Sequence, residues 1–320
     1  MSINNNVAAQ IDTEKRSFNW RDWLVYFVLI FLVILFTVLR PIFISGGNLQ
    51  NIGRQTAMVS IMAFGMTFVI TAGHIDLSVG SILGLSGLAT AGMMSAGTNI
   101  VVASIVGLLI GALTGLINGI LVAKMNIPSF LATLGTMTIG RGLALTVTGT
   151  KSVMINKGQF LRLWGASDIA GIPTSILWTA LAFIICGWLY HYTKIGNHVK
   201  AVGGNRNAAL YSGVKVDKTV IIVFVICGIL AAVAGLIMAA RLKNGRPEVG
   251  EGMELDTIAA VVLGGTAMSG GRGNIPNTLI GSLIMGVIVN GLLLLGFQAN
   301  IQKIFKGIII IAAVALSEKR

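Results

Sequence analysis

Apolar and polar positions alternate in long blocks along this chain. Ten apolar segments can be drawn, at 23–39, 57–72, 82–96, 100–123, 130–148, 174–192, 219–240, 258–270, 277–296 and 301–316. None has the period-2 alternation of a barrel strand. The pattern predicts an all-α membrane protein of about ten transmembrane helices, some of them broken or short. Crossing hydrocarbon takes roughly 20 apolar residues. The second and third segments, of about 15–16 residues each, fall short of that. Between them lies Gly73-His74-Ile75-Asp76-Leu77-Ser78-Val79-Gly80-Ser81. A second break, Gly264 to Pro276, leaves the eighth segment too short to span unless it extends into its polar flanks. Paired, glycine-interrupted hydrophobic segments point to the working part of a transporter. Ala63-Phe-Gly-Met-Thr67 and Val262-Leu-Gly-Gly-Thr266 echo one another at these breaks, in the manner of an internal repeat.

Composition agrees with a membrane setting. Only 11% of the 320 residues are charged and 55% are hydrophobic, against about 25% charged in soluble domains. The 41 glycines suit close helix packing. A net charge of +12 would suggest nucleic acid in a soluble protein. Here the basic residues sit in loops and read as retention beside anionic lipid, so no nucleic-acid partner is expected. Cys186 and Cys227 lie in apolar runs without metal-ligand spacing and read as packing residues.

Polar residues 1–22 precede the first apolar run, which ends in Leu39-Arg40-Pro41 without a small-residue cleavage site. This reads as an uncleaved helix after a cytoplasmic N-terminal segment. Lys15, Arg16 and Arg21, the basic loop 193–218, and Lys319-Arg320 fall on one side of a ten-helix count. Lys151, Lys157, Arg162, Arg241, Lys243 and Arg246 fall on the other. Both termini are therefore expected in the cytoplasm. Residues 23–316 form a single transmembrane domain and 317–320 a cytoplasmic tail. The expected location is a membrane, crossed many times.

Several residues carry candidate chemistry. Gly107, Gly111, Gly115 and Gly119 recur every four residues, on one helix face. They form a small-residue seam for helix packing, and Thr114 and Asn118 beside it are candidates for a polar pathway. Asp76 is costly in hydrocarbon unless solvated, paired or hydrogen-bonded. It reads either as a helix cap with Ser78, at the cytoplasmic interface, or as a pathway group. Asn290, in the ninth segment, joins Asp76 and Ser78 as a pathway or gating candidate. Arg141 lies about seven residues, roughly 10 Å, from a segment end; it either snorkels to the interface or pairs with a carboxylate. In the loop 193–218, Asn205 or Asn207 can cap a short helix that Gly213 ends. No Gly-Lys-Ser/Thr phosphate loop, catalytic triad order or metal spacing occurs, so neither an enzyme nor a metal site is expected.

Four motifs together resemble one family. They are Ile75-Asp-Leu-Ser-Val-Gly-Ser81; Leu134-Gly-Thr136 with Arg141-Gly142; Val202-Gly-Gly-Asn205 through Ser212-Gly213; and Glu254-Leu-Asp256 running through Gly264-Gly-Thr266 to Ser269-Gly-Gly-Arg-Gly273. They are similar to the permease subunits of bacterial ABC importers for ribose, galactose, xylose and arabinose. The resemblance implies a subunit that translocates a monosaccharide by alternating access and binds no cofactor itself. ATP and magnesium would belong to a partner ATPase, present as two copies or one fused pair. A second permease chain, in a homo- or heterodimer, membrane lipid and a periplasmic sugar-binding protein complete the implied partners. Loop 193–218 then looks like the segment coupled to the ATPase, through Gly203, Gly204, Asn205, Ala208, Ala209 and Gly213. The loops 149–173 and 241–257 would receive the binding protein, with Glu248, Glu251, Glu254 and Asp256 as the acidic contacts. Two positions depart from the family: His74 and Asn277 stand where it usually has glycine. The rival readings are the same architecture importing a nucleoside, a branched-chain amino acid or a furanosyl signal, and an ion-coupled transporter relaying protons through Asp76 and His74.

Overall fold

The computed structural model describes residues 20–318; residues 1–19 of the expected N-terminal segment, and Lys319-Arg320 of the expected tail, lie outside that range. The described chain is helical apart from two small antiparallel ladders. Helix α1 (Trp20–Leu39) leads through a 3-10 turn into α2 (Gly46–Thr71), followed by α3 (Val79–Ser95), α4 (Ile100–Ala123) and α5 (Ser129–Thr148). Strand β1 (Val153–Met154), the short α6 (Gly158–Trp164) and the hairpin β2 (Asp168–Ile169)–β3 (Ile172–Pro173) make the next connection. Helix α7 (Thr174–Tyr192) runs into the polar helices α8 (Lys194–Gly204) and α9 (Arg206–Tyr211), and then α10 (Val216–Leu242). Strand β4 (Asn244–Gly245), α11 (Met253–Leu263), α12 (Ile275–Leu294) and α13 (Ala299–Glu318) complete the described chain.

Among the described residues, five helices, α4, α5, α7, α10 and α12, are long and apolar enough to cross a membrane. At 1.5 Å per residue, the 27 residues of α10 reach roughly 40 Å. It is the most enclosed of the five, with Val223, Phe224, Cys227, Ala231 and Ala232 fully buried. Elsewhere large apolar side chains face outward, as with Phe27 and Phe31 on α1, Ile139 on α5 and Ile311 on α13. That is the surface a lipid or a partner helix can cover, since hydrocarbon solvates such side chains as well as a core does.

Two boundaries differ from the sequence expectation. Helix α2 starts eleven residues before the apolar segment 57–72, because Asn48, Gln50, Asn51, Arg54 and Gln55 are helical as well as polar. The eighth segment is displaced: α11 begins at Met253, includes Glu254 and Asp256, and stops at Gly264. Gly265 has φ +83°, a left-handed conformation that ends the helix, so the apolar Ala267 and Met268 lie in the turn beyond it.

The glycine face of α4 lies against α10. A Cβ on Gly111 would run into the carbonyl of Gly228, one on Gly115 into that of Phe224, and one on Gly119 into Ile221 Cα. Gly107 lies against Thr90 and Leu236. The two backbones meet with no side chain between them, a geometry that only small residues permit.

Candidate functional site

The first break is mixed: Gly73 is exposed, His74, Ile75 and Leu77 are half-buried, and Asp76 and Ser78 are enclosed. Asp76 and Ser78 have no exposed surface. Asp76 Oδ1 accepts from the Ser78 backbone N–H at 2.9 Å and from the Ser78 hydroxyl at 2.5 Å. The carboxylate therefore holds Ser78, the residue just before α3. Asp76 lies beside Cys227, eleven residues or about 16 Å along α10. Between α2 and the buried Asp76, Gly73 takes φ +85°. The His74 ring lies tilted against Phe224, with centroids 6.0 Å apart.

A polar chain continues from Ser78. Asn118 on α4 donates from Nδ2 to Ser78 Oγ at 2.8 Å, and Thr136 on α5 donates to Asn118 Oδ1 at 2.8 Å. The backbone of the break is held to α5 as well, Ile75 N–H donating to Ser129 Oγ and Leu77 N–H to Thr133 Oγ1. Ser129, Thr133 and Thr136 were not singled out in the sequence, although their spacing of four and then three places them on one face of α5. Thr114, by contrast, gives its hydroxyl to Ile110 O within its own helix. Arg141 Nη1 donates to Val249 O at 3.0 Å, tying α5 to the loop before α11; among the described residues no ion pair with a carboxylate is seen for it.

The second break is built from backbone. Gly270 and Gly271 have φ +87° and +79°, and Gly271 N–H donates to Thr71 O, at the end of α2, at 2.8 Å. Gly203, near the end of α8, fits into this junction. A Cβ there would collide with Thr71 O and the Gly271 amide, and one on Gly270 would press on Gly203. Asn274 caps α12 by accepting from Asn277 N–H at 3.1 Å, while the Asn277 side chain accepts from the Tyr26 hydroxyl at 3.0 Å. The Asn277 side chain thus reaches α1.

Helices α8 and α9 project from this junction. Asn205, not Asn207, caps α9, accepting from Ala208 N–H at 3.0 Å, and Gly213 follows with φ +82°. Gly204, Asn205, Ala208 and Gly213 are exposed, as are Leu210 and Tyr211, while Ala209 packs inward. Elsewhere, Asn290 is buried on α12 and exchanges two hydrogen bonds with Asn48 of α2, at 2.9 and 3.0 Å. The same two helices share Ser60–Ser282 at 2.6 Å and Thr67–Thr278 at 2.9 Å. On α12, Thr278, Ser282, Gly286 and Asn290 recur every four residues, a pattern readable in the sequence.

The loops 149–173 and 241–257 meet, Val153 pairing with Gly245 and Met154 with Asn244. Of the four acidic residues there, Glu248 and Glu251 are exposed. Glu254 turns inward against Gly80, and Asp256 pairs with Lys306 of α13 at 2.6 Å. Among the described residues no group of three or more His, Cys, Asp or Glu could hold a metal.

A polytopic helical bundle with two broken segments and one exposed polar helix pair has the architecture of a membrane permease. The chain belongs to the family described as the permease component of the branched-chain amino acid transport system, which matches residues 48–314. It is 47% identical to the ribose import permease protein RbsC of Bacillus subtilis (strain 168), over 91% of each chain. The RbsC of Escherichia coli K12 is 40% identical over 91% of this chain and 92% of its own. The D-allose transport system permease protein AlsC of Escherichia coli K12 is 38% identical over 95% of each. No solved structure matches the chain significantly. The chain is a transport subunit, not an enzyme.

Proposed function

We propose that this chain is the ribose-type permease of an ATP-driven importer in the bacterial inner membrane, with ten spans and both termini cytoplasmic. The observation that carries the mechanism is the junction of Gly203, Thr71 and Gly271. An exposed helix pair suited to docking is seated directly on both broken segments, so a push on α8 reaches α2 and α12 without an intervening side chain. Partner ATPases bind α8 and α9 around Gly204, Asn205, Ala208 and Gly213, and hydrolyse ATP with magnesium. A binding protein docks on the opposite face, where Glu248 and Glu251 offer open negative charge. Two permease chains form the pathway, and the bundles tilt as the ATPases close. The names of the relatives, ribose and D-allose permeases over more than nine-tenths of the chain, favour a monosaccharide over an amino acid.

The test is uptake of radiolabelled D-ribose into proteoliposomes holding this chain with its ATPase and binding protein. Uptake is expected only with ATP and all three components, and it persists when an ionophore collapses ion gradients. Uptake driven by a proton gradient without ATP overturns the reading in favour of an ion-coupled transporter.

A further inference from the structure

We infer that the hairpin β2–β3 responds to the docked binding protein, and that Arg54–Asp168 is the joint through which it moves α2. The polar start of α2 is the clue. Gln50 and Arg54 stand one turn apart on one face of that helix, and both reach the hairpin. Arg54 Nη2 donates to both carboxylate oxygens of Asp168, at 2.6 and 2.8 Å. Gln50 Nε2 donates to Gly171 O at 3.0 Å. The hairpin is thus held to α2 at two points, the start of β2 and the turn. Arg241 of α10 holds the same part of α2 from another side, its Nη1 donating to Arg54 O at 3.2 Å.

The hairpin is short and closely paired. Asp168 pairs with Pro173 and Ile169 with Ile172, and Ala170 and Gly171 between them both take positive φ, +51° and +79°. That is a tight two-residue turn whose twist matches the strands. Ile169, Ala170 and Ile172 are exposed beyond the joint, in the loop already assigned to the binding protein. Helix α2 then runs unbroken to Thr71, roughly 26 Å from Arg54 along its axis. Thr71 O accepts from the Gly271 amide, and Gly203 of α8 packs against both. One helix therefore has the hairpin at one end and the ATPase-docking helices at the other. This inference rests on the importer reading and adds the route by which docking on one face reaches α8 on the other.

The assembled importer in proteoliposomes would be assayed for ATP hydrolysis with and without D-ribose-loaded binding protein, and the ratio of the two rates read. Arg54→Gln and Asp168→Asn each remove a charge and keep a polar side chain. Each is expected to lower the ratio about threefold, within the range that exposed ion pairs span. The double variant should fall no further than either single, because the two residues act as one joint. The paired side chains are 30% and 38% exposed, so the pair adds little to stability and all three variants should melt like wild type. A role in folding alone gives the reverse, lower melting with an unchanged ratio. Gln50→Ala removes the second point of attachment; it is expected to give a smaller fall, and it carries the test if a charge variant does not co-purify with the ATPase. Wild-type ratios in the single variants, or losses that multiply in the double, overturn the joint. A wild type that imports no D-ribose with ATP sinks the importer reading instead; normal import with hydrolysis indifferent to the pair sinks the joint alone.

Discussion

The two breaks are made in opposite ways. The first, around Asp76, is a network of side chains: carboxylate, hydroxyl, amide and hydroxyl in series from α3 through α4 to α5. The second, around Gly270–Gly271, is backbone against backbone, with α8 pressed into it. A side-chain network fails gradually, because each bond removed costs only its own share. A backbone junction fails at once, because one added carbon has nowhere to go. The arrangement fits a rigid second break that receives force and a first break that holds α3, α4 and α5 together while it passes.

The largest expected effect comes from the backbone junction. Gly203→Val pushes α8 off Thr71 and Gly271, and D-ribose uptake is expected to fall at least about tenfold. ATP hydrolysis that no longer responds to loaded binding protein would accompany the loss; normal stimulated hydrolysis would mean that force does not travel by this route. Next comes Asp76→Ala, which removes both acceptor bonds to Ser78 and leaves a void, costing about 1–3 kcal/mol. Asp76→Asn retains an acceptor and is expected to fold and melt like wild type. Loss of uptake in folded Asp76→Asn would give the charge a direct role in transport. Asn118→Leu cuts the chain in the middle, and thermal melts should show a loss of roughly 1–2 kcal/mol, near the upper range for hydrogen bonds between membrane helices. The smallest change is Asn277→Gly, which releases Tyr26. A loss of about 0.6 kcal/mol is expected, with uptake unchanged; a large uptake defect would give α1 a part in gating.

Much of this architecture was readable from the apolar pattern, because long runs of Leu, Ile and Val leave few alternatives in lipid. The close approach of α4 to α10 was written in glycines four residues apart. The start of α2 was not, since helical residues in polar surroundings look the same as a loop. Nor was the burial of Asp76, because a polar motif at a break reads the same whether or not neighbouring helices enclose it. Thr133 and Thr136 were hidden for another reason. A threonine in an apolar helix can satisfy itself on its own backbone, as Thr114 does, and spacing does not distinguish that from a bond to a neighbour.

The rungs between α2 and α12 set a scale for how these helices can slide. If α12 moved by one turn, about 5.4 Å, Ser282 would come opposite Thr56 and Thr278 opposite Ser60, so hydroxyl would again face hydroxyl. Asn48 would then face Gly286 and lose its amide partner. Asn48–Asn290 is therefore the notch that distinguishes one setting of the seam from the next, while the hydroxyl rungs are teeth that mesh in either.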